Sequence, residues 1–204
     1  RKSVDPELSV EALYPKIKAA LLDVVEHAGL ELYSDYEQLW KDFNNFDLEA
    51  GKEVIFSLPM GDARGRWNYT FAVRNNGLTQ WTQTSSNRGG TAGPVPSLFF
   101  KYDRSGKDQR RDVSCANFVM TNNGSKDVCE VAGAESWYFG KYRFDWMTYL
   151  PYTGGNDDGI KPVYMRYSDI LLMLAEVCNE IDADKSDAKS YLLEVRKRAF
   201  KGHE

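Results

Sequence analysis

The sequence predicts a mostly α-helical protein in which helical pairs flank a loop-rich insertion with a few short strands. Apolar residues recur at helical spacing near both ends of the chain, within residues 15–43 and 168–199. Between Pro59 and Pro96, by contrast, Gly, Asn, Ser and Thr are frequent and helical periodicity is weak. We therefore divide the chain into a helical pair (1–50), a loop-rich insertion with short strands (51–160) and a C-terminal helical hairpin (161–204).

Helix-start and helix-stop signals define the N-terminal pair. Asp5–Pro6 is a start signal, with Asp at the cap and Pro in the first turn. Because proline interrupts a helix, Pro15 predicts a short lead-in and then a helix over residues 15–28, which Gly29 ends. A capping box at Ser34–Glu37 opens a second helix. The apolar residues of that second helix are Leu39, Trp40 and Phe43.

Two short apolar runs interrupt the insertion. Glu53–Leu58 is β-branched and apolar, which is typical of a buried strand or extended segment. Ser97–Tyr102 predicts a short apolar helix or turn. The insertion then ends in a turn-rich linker at Gly154–Gly159.

The most regular segment is a pair of helices near the C-terminal end, and Ser168 or Asp169 can cap the first of them. Its apolar face holds Leu171, Leu174, Cys178 and Ile181. After the polar break Asp182–Asp187, a second helix is predicted over Ala188–Ala199. The apolar positions of this second helix are Leu192, Val195 and Ala199. Two amphipathic helices joined by a short polar loop form an antiparallel hairpin, the unit from which helical solenoids are stacked.

This hairpin resembles the carboxyl-terminal helical pair of the SusD/RagB family, which reads Arg-Tyr-x-Asp-x-Leu-Leu-x-x-Ala-Glu-x-x-Asn and then Val-Arg-x-Arg-Ala. The matching residues are Arg166, Tyr167, Asp169, Leu171, Leu172, Ala175, Glu176, Asn179, Val195, Arg196, Arg198 and Ala199. Further similarities occur at Ala28–Tyr36, at the "EVIFS" run of residues 53–57, at Asp108–Asp112 and at Trp137–Arg143. The resemblance implies tetratricopeptide-like helical pairs, with extended segments at Val113–Met120 and Trp137–Arg143.

The resemblance also implies a function. Members of the family are surface lipoproteins that capture nutrients, usually glycans, beside a TonB-dependent outer-membrane transporter. The chain is accordingly expected to be a fragment of a non-catalytic oligosaccharide-binding protein at the outer-membrane cell surface, which delivers its ligand to that transporter. Attachment to the membrane is expected only through a lipid anchor outside these 204 residues. One alternative is a helical-repeat scaffold that binds a peptide or partner protein, and a weaker one is an accessory segment of a glycoside hydrolase.

Composition and motifs argue against several other classes of protein. The net charge of -4, without a basic block, argues against nucleic acid as a partner. No apolar run approaches the roughly 20 residues that span a bilayer. The two histidines, His27 and His203, have no nucleophile-elbow serine or Cys–His pair beside them, and phosphate and dinucleotide loops are missing. We therefore predict neither catalytic activity nor a cofactor.

The acidic turn Asn156–Asp158 offers oxygen ligands of the kind that calcium accepts. Asn and Asp fill turns for backbone reasons far more often, however, so we predict a solvated turn and no metal. Adjacent carboxylates such as Asp157 and Asp158 are also poorly placed for glycoside hydrolysis, in which the two acids face each other across a sugar.

The aromatic residues of the insertion are the best functional signal. An exposed Trp or Tyr ring offers a flat platform for the C–H face of a sugar, and neighbouring Arg, Asn or Gln side chains can bind its hydroxyls. In an extended segment, Trp67 and Tyr69 would project from one side. The predicted ligand-binding residues are Trp67, Tyr69, Trp81, Arg64, Asn75 and Gln83. The alternative, that these aromatic rings anchor the loop to the protein body, stays open.

The remaining candidates are given structural roles. Cys178 lies on an apolar helix face and is predicted to be a buried small hydrophobe, whereas Cys115 and Cys129 could form a disulfide or remain free thiols. The charged residues of the hairpin are predicted to form helix caps and ion pairs. These are Arg166, Asp169, Glu176 and Arg196.

Overall fold

Helices occupy both ends of the chain and short strands lie between them, in agreement with the predicted fold class. The computed structural model describes residues 5–60, 65–75, 89–102, 105–121, 125–128, 137–148 and 158–201. Its α-helices are α1 (Val10–His27), α2 (Tyr36–Asn44), α3 (Trp67–Phe71), α4 (Pro96–Lys101), α5 (Gln109–Ser114), α6 (Tyr167–Ile181) and α7 (Ser186–Phe200). Short 3-10 turns occur at Pro6–Leu8, Ala50–Lys52 and Phe144–Trp146. Within these described ranges, no helix combines the length and apolarity required to cross a membrane.

The strands of the described residues form three separate two-stranded antiparallel ribbons. They are β1 (Val54–Ser57), β2 (Cys115–Ala116), β3 (Phe118–Met120), β4 (Lys126–Val128), β5 (Tyr138–Phe139) and β6 (Val163–Arg166). The pairs are β1 with β6, β2 with β5, and β3 with β4. The extended segment predicted at Val113–Met120 is confirmed from Cys115 onward, because α5 continues as far as Ser114.

The first long helix, α1, contradicts the expected break at Pro15. It begins directly after Ser9, whose hydroxyl accepts a hydrogen bond from the Ala12 N–H, and continues through Pro15. Proline has no N–H, so Pro15 cannot donate the helical hydrogen bond to the Glu11 carbonyl. Both Pro15 and Glu11 are exposed. Water can therefore solvate that carbonyl, which reduces the cost of the proline.

Helix α2 starts one residue later than the predicted capping box indicated. Its cap is Asp35, whose Oδ1 accepts hydrogen bonds from the N–H groups of Glu37 and Gln38 at 2.9 and 3.0 Å. A short side-chain acceptor at this position satisfies backbone donors that have no partner within the helix. The predicted apolar residues Leu39, Trp40 and Phe43 are all buried.

The ribbon of β1 and β6 is only half covered. Val54 lies opposite Arg166, and irregular pairing follows along the ribbon. The predicted strand over residues 53–58 is therefore present, but it is not buried. Phe56 is 52% exposed and contacts Tyr164, which is 58% exposed, with 6.3 Å between the ring centroids.

The C-terminal hairpin forms as predicted, with two local differences. Helix α6 begins at Tyr167, and Asp169 acts from within the first turn by accepting a hydrogen bond from the Arg166 N–H at 2.7 Å. Helix α7 begins at Ser186, and Leu192 on it is 45% exposed, so the predicted burial is wrong there. The other predicted face residues that are buried are Leu171, Leu174, Cys178, Val195 and Ala199.

Two apolar clusters form the core in the part of the chain that the structure describes. One joins α1, α6 and α7, and its buried members are Leu21, Tyr167, Ile170, Leu171, Leu174, Val177 and Val195. The other joins α2 to the insertion and includes Leu39, Trp40, Phe43, Val73, Val113, Tyr142, Phe144 and Ile160. Cys115 and Cys178 are buried free thiols, and Cys129 lies outside the described residues.

A buried ion cluster lies between the two cores. The fully buried carboxylate of Glu53 accepts hydrogen bonds from Arg166 Nη1 at 2.8 Å and from Arg198 Nη1 at 2.9 Å. It also accepts the Tyr33 N–H at 2.8 Å. Arg166 comes from β6 and Arg198 from α7, so this one carboxylate ties the hairpin to the insertion.

Two of the four charged hairpin residues form the predicted ion pair and cap, and the other two make different contacts. Arg166 pairs with Glu53, and Asp169 caps α6. Glu176 accepts a hydrogen bond from the Tyr14 hydroxyl at 3.3 Å, which links α6 to α1. The Arg196 guanidinium lies over the Phe200 ring, 4.8 Å from its centroid.

Candidate functional site

An aromatic cleft opens where α2, α3 and the segment after β5 meet α4 and α5, and its volume is about 430 Å³. Its lining residues are Trp40, Trp67, Phe71, Leu98, Tyr102, Ser114, Phe139, Lys141, Tyr142 and Val163. Six of these are aromatic, and the polar groups are few. Mostly apolar concave sites with a small number of placed polar groups are typical of ligand-binding pockets.

Helix α3 presents Trp67 to this cleft. Trp67 and Phe71 are one helical turn apart, and their ring centroids lie 4.6 Å from each other. Trp67 also contacts Tyr142 edge-on, with 5.8 Å between the centroids. The expected extended segment is therefore wrong at this point. A helix brings residues four apart together, so Phe71 and not Tyr69 is the partner of Trp67.

Asp158 holds α3 in place. Its fully buried carboxylate accepts hydrogen bonds from the N–H groups of Asn68 (2.7 Å), Tyr69 (3.3 Å) and Ile160 (3.1 Å). Burial raises the pKa of Asp158 to about 6, and these backbone donors offset only part of that increase. The predicted solvated turn is thus wrong at Asp158, while residues 156 and 157 lie outside the described residues.

Trp67 has an unused hydrogen-bond donor. Its indole Nε1 is buried and has no hydrogen-bond partner among the residues that the structure describes. Leaving a buried donor unpaired costs about 1–3 kcal/mol. The ring of Trp67 is only half-buried, so it still offers the cleft a stacking surface.

The opposite side of the cleft is fixed by the backbone after β5. Gly140 lies between Phe139 and Lys141, and a Cβ atom on it would be 2.4 Å from the carbonyl oxygen of Val113. Only glycine allows this segment to approach α5 so closely. Its neighbours Phe139 and Lys141 both line the cleft as a consequence.

Tyr142 adds a hydroxyl-bearing ring to the cleft. Its oxygen accepts a hydrogen bond from the Val163 N–H at 3.1 Å, and burial raises the pKa of Tyr142 to about 12. The phenol therefore stays protonated at neutral pH and keeps its O–H for donation. Across the described ranges, no group of three or more His, Cys, Asp or Glu side chains is arranged to hold a metal ion.

The SusD family model matches residues 61–203, well over half of the chain. The chain belongs to the SusD family. This agrees with the resemblance of the C-terminal hairpin and extends it across most of the insertion.

Relatives within the SusD family share this fold. A SusD homolog from Bacteroides thetaiotaomicron superposes with a TM-score of 0.69 at 21% identity over 94% of this chain and 41% of that protein. Surface glycan-binding protein A from the same organism, solved with laminarihexaose, gives 0.61 at 20% identity over 94% and 44%. SusD-like protein P2 from Formosa agariphila is 31% identical over 115 residues, 53% of this chain and 22% of that protein. The chain thus spans less than half the length of these relatives.

The six predicted ligand-binding residues of this SusD-family chain have different positions. Trp67 lines the cleft. Tyr69 is half-buried outside the lining, where its carbonyl accepts a hydrogen bond from the Thr91 hydroxyl. Asn75 is buried and bridges to Met120. The residues that lie outside the described part of the chain are Arg64, Trp81 and Gln83.

Sequence reasoning missed most of the cleft. Trp40 and Tyr142 come from segments about a hundred positions apart, and no local spacing connects them. One usable signal exists, because Phe139 and Lys141 alternate in a predicted strand and therefore point to one side. Without knowledge of which side faces α3, that alternation could not be assigned to a site.

Proposed function

We propose that this chain binds an oligosaccharide in the aromatic cleft, without catalysing its cleavage. The observation that carries the proposal is Trp67, a half-buried ring that lines the cleft. Sugars present an apolar C–H face, so a pyranose ring could stack on the exposed part of the Trp67 indole. The neighbouring Tyr142 hydroxyl supplies a hydrogen-bond donor.

The dimensions of the cleft suit a ligand of this size. Its volume of about 430 Å³ lies within the range of roughly 300–1,000 Å³ that is typical of small-molecule sites. The structural similarity to a glycan-binding protein solved with laminarihexaose supports the choice of ligand class. Family membership supports the rest of the proposal, in which the whole protein holds a glycan at the outer-membrane cell surface and passes it to a TonB-dependent transporter.

Substitution of Trp67 tests the proposal. Isothermal titration calorimetry with glycans selected on an array is expected to show about tenfold weaker binding for Trp67→Ala, because the stacking surface is lost. Trp67→Phe keeps a ring and loses only the N–H, so its loss should be smaller. Trp146→Phe is the matched control, since Trp146 stacks under Arg143 outside the lining of the cleft. Unchanged affinity in Trp67→Ala would refute the site.

A second candidate function, binding of a partner protein, is favoured by the outer groove of the hairpin. Leu172 and Leu192 are 40% and 45% exposed and line a groove of about 440 Å³ between α6 and α7. Exposed apolar side chains at such a groove are typical of protein contacts. A folded chain that binds no arrayed glycan but is retained by the purified transporter would favour this second function.

A further inference from the structure

Lys141 gives the aromatic cleft a positive charge. Among the described lining residues, Lys141 is the one with a charged side chain, and none of the others is a carboxylate. Its Nζ lies 4.7 Å from the Trp40 ring centroid and forms no ion pair with a described residue. On a chain whose net charge is -4, this cation is not part of a generally basic surface.

The backbone of Lys141 is held from both sides. Asn44 is fully buried, and its Nδ2 donates hydrogen bonds to the carbonyls of Lys141 at 2.9 Å and Trp40 at 2.7 Å. The Oδ1 of the same amide accepts the Arg143 N–H at 2.8 Å. One amide thus fixes Trp40 and the segment that carries Lys141 relative to each other, which reduces the entropy lost on binding.

A second cation reinforces the field at Trp40. The Arg166 guanidinium lies 5.3 Å from the same ring centroid, and it shares the single carboxylate of Glu53 with Arg198. Two guanidinium groups therefore have one carboxylate between them. Tyr36, whose ring contacts Trp40, is affected by both cations. Burial alone would raise the pKa of Tyr36, but Lys141, Arg166 and hydrogen bonds lower this pKa below the ordinary value.

We propose that the cleft selects oligosaccharides that carry an anionic group, a uronate carboxylate or a sulfate ester, and that Lys141 is the specificity-determining residue. The inference rests on the proposed glycan binding. Trp67, Tyr142 and Trp40 form a series of rings whose centroids are 5.8 and 5.5 Å apart, and this series ends at Lys141. An oligosaccharide that stacks on the half-buried Trp67 ring and extends along the cleft would bring its anionic group to the ammonium, where a charge-assisted hydrogen bond forms.

A glycan array of neutral, uronate and sulfated oligosaccharides, probed with the 204-residue chain, provides the ligands for the test. The best anionic glycan is then titrated beside its uncharged counterpart, which is the methyl ester of a uronate or the desulfated form of a sulfate. We expect Lys141→Met to weaken anionic binding about tenfold, and Lys141→Arg to retain most of it. Lys197→Met, an exposed position on α7, controls for net charge. The wild-type affinity should also fall as NaCl is raised.

The outcomes separate this inference from the proposed function. Equal affinity for charged and uncharged counterparts, or binding to neutral glycans alone, would overturn the role of Lys141 and leave glycan binding intact. A folded wild-type chain that binds no arrayed glycan would overturn both. If Lys141→Met is shown by circular dichroism to be misfolded, the salt dependence of the wild type and the ratio between paired glycans decide the question. Preference for uronate over sulfate, or the reverse, identifies the source of the charge.

Discussion

At the scale of single residues, the two carboxylates that are fully buried within the described part of the chain differ in what compensates their charge. Glu53 forms ion pairs with two guanidinium groups, whereas Asp158 accepts hydrogen bonds from backbone N–H groups. Partial charges on amides compensate a buried anion less completely than full opposite charges do. The sequence does not distinguish these two acids from their exposed neighbours, because their burial results from contacts with segments far away along the chain.

Asp158 gives a pH-dependent contribution to stability that Asp158→Asn should remove. The folded pKa, about 6, is above the ordinary value of 3.8, so the folded state binds the proton more tightly than the unfolded chain. The stabilising contribution is therefore complete below pH 3.8 and is lost as the pH rises through about 6. We therefore expect the wild type to gain stability relative to Asp158→Asn from neutral pH toward pH 4. The gain in free energy of unfolding should be about 3 kcal/mol at most.

Urea denaturation at a series of pH values measures this difference. Asp187→Asn, at an exposed position in the first turn of α7, is the matched control for the removal of an acidic side chain. A difference that instead grows as the pH rises would mean that the backbone donors of α3 outweigh burial, and that the ionised form of Asp158 is the stabilising one.

At the scale of elements, local patterns predicted the long helices and the short helix α4, but not the short helices α3 and α5. The hairpin repeats apolar residues over more than four turns, which is sufficient to define a helix and its face. The five residues of α3 form little more than one turn, which is too short to be stable alone. This helix depends on the Asp158 carboxylate, and no pattern within Trp67–Phe71 indicates that partner.

Leu192 shows the limit of periodicity within a well-predicted helix. The spacing assigned it to the buried face, yet it is 45% exposed, whereas Leu174 on α6 is fully buried. We expect Leu174→Ala to lower the free energy of unfolding by about 2–5 kcal/mol, since a cavity remains in the core. Leu192→Ala should change it by about 0.5 kcal/mol or less.

The two leucine variants are chemically identical substitutions in paired helices, so each serves as the control for the other in urea denaturation. Similar losses for both would show that Leu192 is buried in solution, and that the outer groove of α6 and α7 is covered.

At the scale of the whole molecule, Glu53 connects the two cores. Tyr167 of the hairpin core donates its N–H to the Glu53 carbonyl at 2.8 Å. The two guanidinium groups bound to the Glu53 side chain in turn lie over rings of the insertion core, Arg166 over Trp40 and Arg198 over Tyr36. The "EVIFS" run and the Arg-x-Arg-Ala helix thus meet at one carboxylate. Both segments resemble the family in sequence, but the sequence does not show that they are in contact.

Glu53→Gln should therefore destabilise the whole chain and not one element. Loss of the carboxylate leaves Arg198 buried without a countercharge, and breaking one partner of such a pair costs about 3–5 kcal/mol. Glu31→Gln, whose carboxylate is exposed and 3.9 Å from Lys52, should cost less than about 1 kcal/mol. Urea unfolding followed by Trp fluorescence, which reports on the insertion core, and by far-ultraviolet circular dichroism, which reports on the long helices, should shift together in Glu53→Gln. Transitions that separate, with the helices unaffected, would mean that the hairpin does not depend on this contact.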